Sequence, residues 1–300
     1  MAKITIGAAQ LGTCLFDAKA TFAKFEDYLT QASLAGVDLI VFPEAFIGGY
    51  PKGIDFGVTV GARTPQGREE FRQYYQDAIE RTSDEIRKIQ SAIKTANINV
   101  VLGLIERDGG TLYCVTASFN RSGTCLAWHR KLMPTAMERV IWGRGDGSDM
   151  MSAQMEFGTV SSAICWENYM PLYRAHLYAQ KPLIHTAPTV DDRDVWLPSM
   201  QMIALEGRCF VVTACQYMTR GHVKAEWYNP VQGSSDDTVL IRGGSCIISP
   251  MGDVLAAPVY NQETLVSAEI DLDDIPRARF DMDNHGHYTR PDIFDLNVKS

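Results

Sequence analysis

Apolar residues along this chain recur at two spacings, one typical of strands and one typical of helices. Short apolar runs predict strands at residues 3–10, 37–42, 100–105, 112–120, 124–128, 183–185 and 209–214. Apolar residues three or four positions apart predict a helix ending near Gly36, a long helix from Phe71 to Ile93, and helices at residues 171–179 and 195–207. A meander with turns at residues 250–253 and 259–261 follows. The pattern predicts an α/β fold with mixed sheets and outer helices, and by itself it leaves a doubly wound sheet equally possible.

Three reactive side chains each follow an apolar, strand-like run. Cys165 stands where such a run gives way to a helix-like stretch, Glu44 ends the run at residues 38–44, and Lys131 follows Arg130. Because strand ends meet at one edge of a sheet, we expect a thiol, a carboxylate and an ammonium in one site. A thiol close to a helix N-terminus is also expected to have a lowered pKa.

Composition narrows the class of protein. The chain has 300 residues, of which 46% are hydrophobic and 21% charged, and no linker or repeat divides it, so one globular domain is expected. A net charge of −8 argues against nucleic acid or an anionic membrane as a partner. No run reaches the length of a membrane span, and residues 1–6 are interpreted as an opening strand and not a signal peptide. Seven scattered cysteines predict reduced thiols and a cytoplasmic location.

Several segments together carry a resemblance to a known family. Those around the three reactive residues resemble the Glu, Lys and Cys blocks of the nitrilase superfamily: Phe42-Pro43-Glu44, residues 130–135 and Cys165-Trp166-Glu167-Asn168. Four further segments look like the nitrilase branch of that carbon–nitrogen hydrolase superfamily: residues 48–53, 138–139, 142–148 and 187–189. The resemblance runs from about Ile4 to about Pro291, and the shared order of the blocks makes it specific.

The resemblance implies a fold and a chemistry. It implies a four-layer α-β-β-α sandwich, with one carbon–nitrogen hydrolase domain at residues 1–291 and a short tail at 292–300. It also implies a hydrolase without cofactor or metal, in which Cys165 attacks a small-molecule nitrile, Glu44 moves protons and Lys131 stabilises negative charge. Glu138 resembles the superfamily's second glutamate and would hold the ammonium of Lys131. The residues expected to line the substrate pocket are Tyr50, Thr135, Trp142, Trp166 and Pro188.

Some positions depart from the family or leave alternatives open. Ala136 follows Thr135 where many nitrilases have His, so the site near Glu138 is expected to be more apolar, which affects the substrate range. The alternatives are an amidase, an enzyme that hydrates cyanide, and a catalytically silent scaffold. Asn168 weighs against the cyanide enzyme, whose members tend to have His there, and joint retention of the four catalytic residues weighs against the scaffold.

An apolar helix at residues 171–179 predicts self-association. The helix and the residue before it carry more apolar side chains than one buried face requires, namely Met170, Leu172, Tyr173, Ala175, Leu177 and Tyr178. We therefore expect a homodimer or a larger homo-oligomer that forms through this helix. The short tail is expected to limit growth into filaments.

Overall fold

The computed structural model describes residues 3–299, so Met1, Ala2 and Ser300 lie outside the described residues. Its first sheet has six strands in the order β14-β1-β2-β3-β4-β5, with β1, β2 and β3 parallel and the other neighbours antiparallel. These strands are β1 (Lys3–Gln10), β2 (Leu39–Val41), β3 (Asn99–Asp108), β4 (Thr111–Phe119), β5 (Cys125–Arg130) and β14 (Thr264–Asp271).

The second sheet also has six strands, in the order β13-β12-β9-β8-β7-β6, with β7, β8 and β9 parallel. They are β6 (Ala153–Met155), β7 (Gly158–Ser162), β8 (Ile184–Thr189), β9 (Phe210–Cys215), β12 (Cys246–Ile248) and β13 (Val254–Ala256). A separate two-stranded ribbon consists of β10 (Tyr217–Thr219) and β11 (Val239–Arg242).

Helices cover the outer faces of both sheets. The helices of the described residues are α1 (Ala18–Leu34), α2 (Pro65–Asp77), α3 (Asp84–Ala96), α4 (Pro171–Ala179), α5 (Trp196–Gly207) and α6 (Asp274–Arg279), of which α1 and α3 cover the first sheet and α5 covers the second. Phe25 of α1 and Ile89 of α3 pack in one core with Leu102 of β3, and Met200 of α5 packs with Val211 of β9. No helix in the described part of the chain is long and apolar enough to cross a membrane.

The two sheets pack face to face, which confirms the four-layer α-β-β-α sandwich. Alternate residues of β3 show both of its faces buried, because Val100 and Leu102 face the helices while Val101 joins the core between the sheets. Phe210 of β9 lies in that same inner core. Burial on both faces explains why such strands have continuous apolar runs.

The long helix predicted from Phe71 to Ile93 is wrong, because two helices occupy this segment. Helix α2 ends at Asp77 and Ala78 is extended, while Ser83 caps the start of α3. The backbone of Ile79 instead pairs with β3, donating to the carbonyl of Ile105 at 2.9 Å. Ile79 fits the apolar spacing of a helix, but its backbone hydrogen bond is to Ile105, in a strand distant in sequence.

The end of the chain is simpler in structure. After α6 the described residues form turns and irregular segments as far as residue 299. The prediction of one domain at residues 1–291 and a tail at 292–300 stays a prediction.

Candidate active site

Three chain segments that follow strand ends meet between the sheets. Glu44 comes three residues after β2, Lys131 directly follows β5, and Cys165 comes three residues after β7. All three side chains are buried. A Cβ at Gly103 of β3 would lie 2.0 Å from the carbonyl oxygen of Pro43, so glycine there allows the segment with Glu44 to pack against the sheet. The three side chains therefore meet where strands end, as the sequence predicted.

Lys131 lies between two carboxylates. Its Nζ donates to Glu44 Oε1 at 2.5 Å and to Glu138 Oε2 at 2.8 Å. Burial alone would lower the pKa of Lys131, but the negative charges of Glu44 and Glu138 outweigh burial and raise the pKa well above its usual value. Lys131 is therefore an ammonium at neutral pH.

Glu138 is fixed by several neighbours. Its Oε1 accepts from the Tyr50 hydroxyl at 2.9 Å, and its Oε2 accepts from the backbone N–H of Thr135 at 2.6 Å. The ring of Trp142 packs edge-on against Tyr50 and lies 5.7 Å from Lys131 Nζ. Thus Tyr50, Thr135 and Trp142, predicted as pocket residues, surround the carboxylate and the ammonium.

Glu44 has the protonation behaviour of a base that works near neutral pH. Burial and the charge of Glu138 raise the pKa of Glu44 to about 7, against the lowering effect of Lys131. Its Oε1 also receives a weak hydrogen bond from the Cys114 thiol, whose sulfur lies 3.8 Å away. Its Oε2 is buried and accepts no hydrogen bond of normal length from the described residues. That oxygen is free to receive a proton.

Cys165 sits in a strained turn. It begins a 3₁₀ turn (Cys165–Tyr169) with φ of 49°, a left-handed conformation that costs a non-glycine residue about 1–2 kcal/mol. The side-chain amide of Asn168 holds this turn by donating to the carbonyls of Ala163 at 2.8 Å and Cys165 at 2.9 Å. The left-handed backbone and the two Asn168 hydrogen bonds therefore hold the thiol in one orientation.

The expected lowering of the Cys165 pKa is wrong. Burial, followed by the charge of Glu44, raises the pKa of the thiol well above its usual value, although Lys131 and a hydrogen bond from Thr189 act in the other direction. The Thr189 hydroxyl lies 3.2 Å from the sulfur. The turn is a short 3₁₀ segment and not the start of a longer helix, so no helix N-terminus offsets the burial. The thiol therefore needs a base to become nucleophilic.

Two other predicted pocket residues lie beside the nucleophile. Pro188 is buried in β8, next to Thr189. Trp166 is 41% exposed, and its indole N–H donates to Asp191 Oδ2 at 2.8 Å, so this bond directs the ring's polar edge to Asp191. Among the described residues, the Trp166 side chain hydrogen-bonds to Asp191 and not to Glu44 or Lys131.

Sequence reasoning overlooked four residues that shape the site. Thr189 and Glu167 lie within segments that resemble the nitrilase family, so the sequence contained a signal for both. Cys114 is an ordinary buried position of β4, and Gln216, which donates to the carbonyl of Glu44 at 2.8 Å, follows β9 without any sequence signal.

A cavity of about 250 Å³ opens beside Glu138. The Tyr50–Phe56 loop forms one side, and the 3₁₀ turn Ala136–Val140 with Ile141 forms the other. Its apolar side chains are Pro51, Ile54, Phe56, Met137, Val140 and Ile141, and its polar ones are Tyr50, Lys52, Asp55 and Glu138.

Known proteins share the sequence and fold. A profile of the carbon-nitrogen hydrolase family matches residues 5–280. A nitrilase of Bradyrhizobium diazoefficiens is 52% identical over 90% of this chain and 84% of its own. An aliphatic nitrilase of Sinorhizobium fredii is 47% identical over 99% of this chain and 96% of its own. The crystal structure of Saccharomyces cerevisiae Nit3, of the nitrilase superfamily, has the same fold, with a TM-score of 0.74 at 18% identity and coverage of 97% of both chains. By family profile, relatives and fold alike, this chain belongs to the carbon–nitrogen hydrolase family.

Proposed function

We propose that the protein is a nitrilase, which converts an organic nitrile into a carboxylic acid and ammonia through a covalent adduct on Cys165. The observation that carries this proposal is the buried cluster of Glu44, Lys131 and Cys165. In that cluster a carboxyl group of pKa about 7 lies beside a thiol whose pKa is raised. The two nitrilase relatives, which match nearly the whole chain, support the same substrate class.

The first step forms a carbon–sulfur bond. Glu44 Oε2, which is free, takes the proton of the Cys165 thiol, and the resulting thiolate adds to the nitrile carbon. Negative charge then develops on the nitrile nitrogen, where the ammonium of Lys131 stabilises it. Glu44 delivers the proton to this nitrogen, so the product is a neutral thioimidate and the carboxylate is regenerated.

Water completes the reaction in two stages. Glu44 removes a proton from the first water, whose oxygen adds to the thioimidate carbon, and passes that proton to the nitrogen, which gives a tetrahedral intermediate with a hydroxyl and an amino group. Glu44 then moves the hydroxyl proton to the amino group, so ammonia leaves as the carbonyl of a thioester forms. A second water hydrolyses the thioester to the acid and the free thiol. If the intermediate instead expels the thiolate, the product is an amide.

Lys131 needs a fixed position for this role, and Glu138 supplies it. Because Glu138 is held by the Tyr50 hydroxyl and the Thr135 backbone, its bond to Lys131 keeps the ammonium directed to one point. A preorganised charge costs no rearrangement when the substrate's charge develops.

The cavity beside Glu138 is suited to the organic substituent of the nitrile. Its apolar wall favours a hydrocarbon group, and Tyr50 and Glu138 mark the end nearest the catalytic cluster. Trp142 packs against Tyr50, Trp166 belongs to the nucleophile's own turn, and Pro188 lies in β8 next to Thr189.

A homodimer through α4 fits the exposed surface. Tyr173, Leu177 and Tyr178 of the predicted apolar set are buried within the chain, so the free surface of α4 is smaller than expected. Leu172 is nevertheless 71% exposed, and Trp166 and Tyr169 of the preceding turn are partly exposed. Arg174 connects α4 to α5 through Glu206 at 2.8 Å. An apolar surface of this kind is typical of a self-complementary interface.

Two further predictions accompany the proposal. The acidic net charge and the scattered thiols, all seven of which are free, support a cytoplasmic location and no nucleic-acid partner. The chemistry of the cluster needs no cofactor.

A panel of organic nitriles and their matching amides tests the proposed activity. We expect ammonia release and the carboxylic acid from at least one nitrile, with little or no turnover of the amide of the same compound. Ammonia from the amides alone would contradict the nitrilase and favour an amidase. No turnover of any compound by folded protein would favour the silent scaffold.

A further inference from the structure

The carboxylate of Glu167 bridges the two turns that carry Lys131 and Cys165. Its Oε1 accepts from the backbone N–H of Leu132 at 2.7 Å, and its Oε2 accepts from the backbone N–H of Ile164 at 2.7 Å. Leu132 directly follows Lys131 and Ile164 directly precedes Cys165, so each oxygen holds one turn. We propose that Glu167 is a positioning residue, which fixes the separation of the ammonium and the nucleophile. This inference rests on the roles proposed above for Lys131 and Cys165.

Buried His129 favours the ionised form of the Glu167 bridge. His129 Nε2 lies 3.0 and 3.1 Å from the two oxygens of Glu167, and both side chains are almost fully buried. Burial alone would raise the pKa of Glu167, but the charge and hydrogen bond of His129 and the two backbone bonds outweigh burial and lower the pKa. Burial alone would lower the pKa of His129, but Glu167 and a backbone hydrogen bond with Asp149 raise it. Each group of the pair therefore favours the charged form of the other.

Other groups around His129 keep its ring in place. The Tyr173 hydroxyl of α4 donates to the carbonyl of Ser162 at 3.1 Å and lies 3.2 Å from His129 Nε2. The two rings also stack, with centroids 5.4 Å apart. His129 stands two residues before Lys131, so strand alternation directs both side chains to one face of the first sheet.

The bridge depends on two acceptor oxygens. An amide in place of the Glu167 carboxylate would present an NH₂ group to one of the two backbone N–H groups, and two donors repel each other. It would also remove the negative charge that His129 Nε2 contacts at 3.0 and 3.1 Å. One of the two turns then has to move, which separates Lys131 from Glu44 or Cys165.

Kinetics of Glu167→Gln test the proposal with a readout that stability alone does not change. We expect kcat to fall about 100-fold with KM little changed, because a small displacement of a reacting group has a cost of that size. Lys131 lowers the pKa of Glu44, so moving Lys131 away raises that pKa. The acid limb of the kcat/KM profile should therefore shift to higher pH.

Two further variants sharpen this test. Glu167→Asp keeps the charge opposite His129 but is too short to reach both N–H groups, so it should fold and still shift the acid limb upward. The matched control is Glu263→Gln, since Glu263 also accepts a backbone N–H, from Gly12 at 3.0 Å, and lies 3.3 Å from His222. That control should lower the melting temperature and leave kcat and the acid limb unchanged.

The outcomes separate this inference from the proposed function. Wild-type kcat and an unmoved acid limb in folded Glu167→Gln would overturn the positioning role. If that variant does not fold, an unmoved limb in Glu167→Asp would overturn it equally. Loss of stability in both variants with normal kcat per folded molecule would show that Glu167 only stabilises the fold. Cys165→Ala is assayed alongside, because activity of that variant would contradict the proposed function itself.

Discussion

Lys131 Nζ and Glu44 Oε1 lie 2.5 Å apart, and both side chains are fully buried. In this pair the ammonium limits how far burial raises the pKa of Glu44, and the carboxylate keeps Lys131 charged. A carboxyl group that loses its proton near neutral pH can both accept a proton from Cys165 and return it to the substrate. The contact therefore places the proton-transferring carboxyl group of Glu44 next to the ammonium of Lys131, which stabilises negative charge.

Replacing Cys165 with Ala should abolish ammonia release, because the covalent step then has no nucleophile. The fold should be retained, as the change only removes a sulfur atom from the turn. Mass spectrometry of wild-type protein quenched during turnover should find an adduct on the peptide with Cys165. Adducts on Cys114 or Cys215 instead would assign the nucleophile to another thiol.

Lys131→Ala should reduce kcat by on the order of 100-fold or more, the usual effect of removing one such charge. Lys131→Arg should not restore it, because a planar guanidinium cannot replace a compact ammonium between Glu44 and Glu138. Steady-state kinetics on one nitrile would measure both effects. Near wild-type activity of Lys131→Arg would mean that a positive charge at this position is sufficient, whatever the shape of the group that carries it.

The activity should decline in acid because Glu44 must be ionised to act as a base. Below its pKa of about 7, kcat/KM should fall about tenfold per pH unit as the carboxylate takes up a proton. The charge of Glu138 raises this pKa, so Glu138→Gln should move the acid limb to lower pH even though the overall rate falls. A limb that stays in place in Glu138→Gln would assign it to another group.

Tyr50→Phe should loosen Glu138 without changing any charge. The lost bond to a carboxylate corresponds to about 1.5–3 kcal/mol, so kcat should fall about 10- to 100-fold. Tyr228→Phe is a matched control, since the Tyr228 hydroxyl also donates to the chain, at the carbonyl of Lys52. A similar fall in kcat for both variants would mean that the loop, and not Glu138, explains the loss.

The sequence predicted those features that depend on local pattern. Apolar runs located β3 and β9 because both faces of these strands are buried, and the strand ends located Glu44, Lys131 and Cys165. The break after Asp77 could not be predicted, since Ile79 fits a helix and forms its bridge to a strand residue far along the chain.

The electrostatics of the site depend on contacts that no local pattern contains. Proximity to a helix start suggested a lowered pKa for Cys165, but burial and Glu44, distant in sequence, raise it. Glu167 belongs to the Cys segment, yet its role depends on Leu132 and His129 of another strand end. Such pairs become visible only when the tertiary structure brings them together.

Light scattering at micromolar concentration tests the proposed dimer. We expect at least twice the 33.3 kDa of one chain. Leu172→Glu puts a charge on the exposed apolar surface of α4, so burial against a partner would become unfavourable and the mass should fall to that of a monomer. Leu34→Glu is the matched control, because Leu34 is 85% exposed at the end of α1, and this variant should remain dimeric. A wild-type monomer with full activity would contradict the dimer, and dissociation by both variants would place the interface elsewhere.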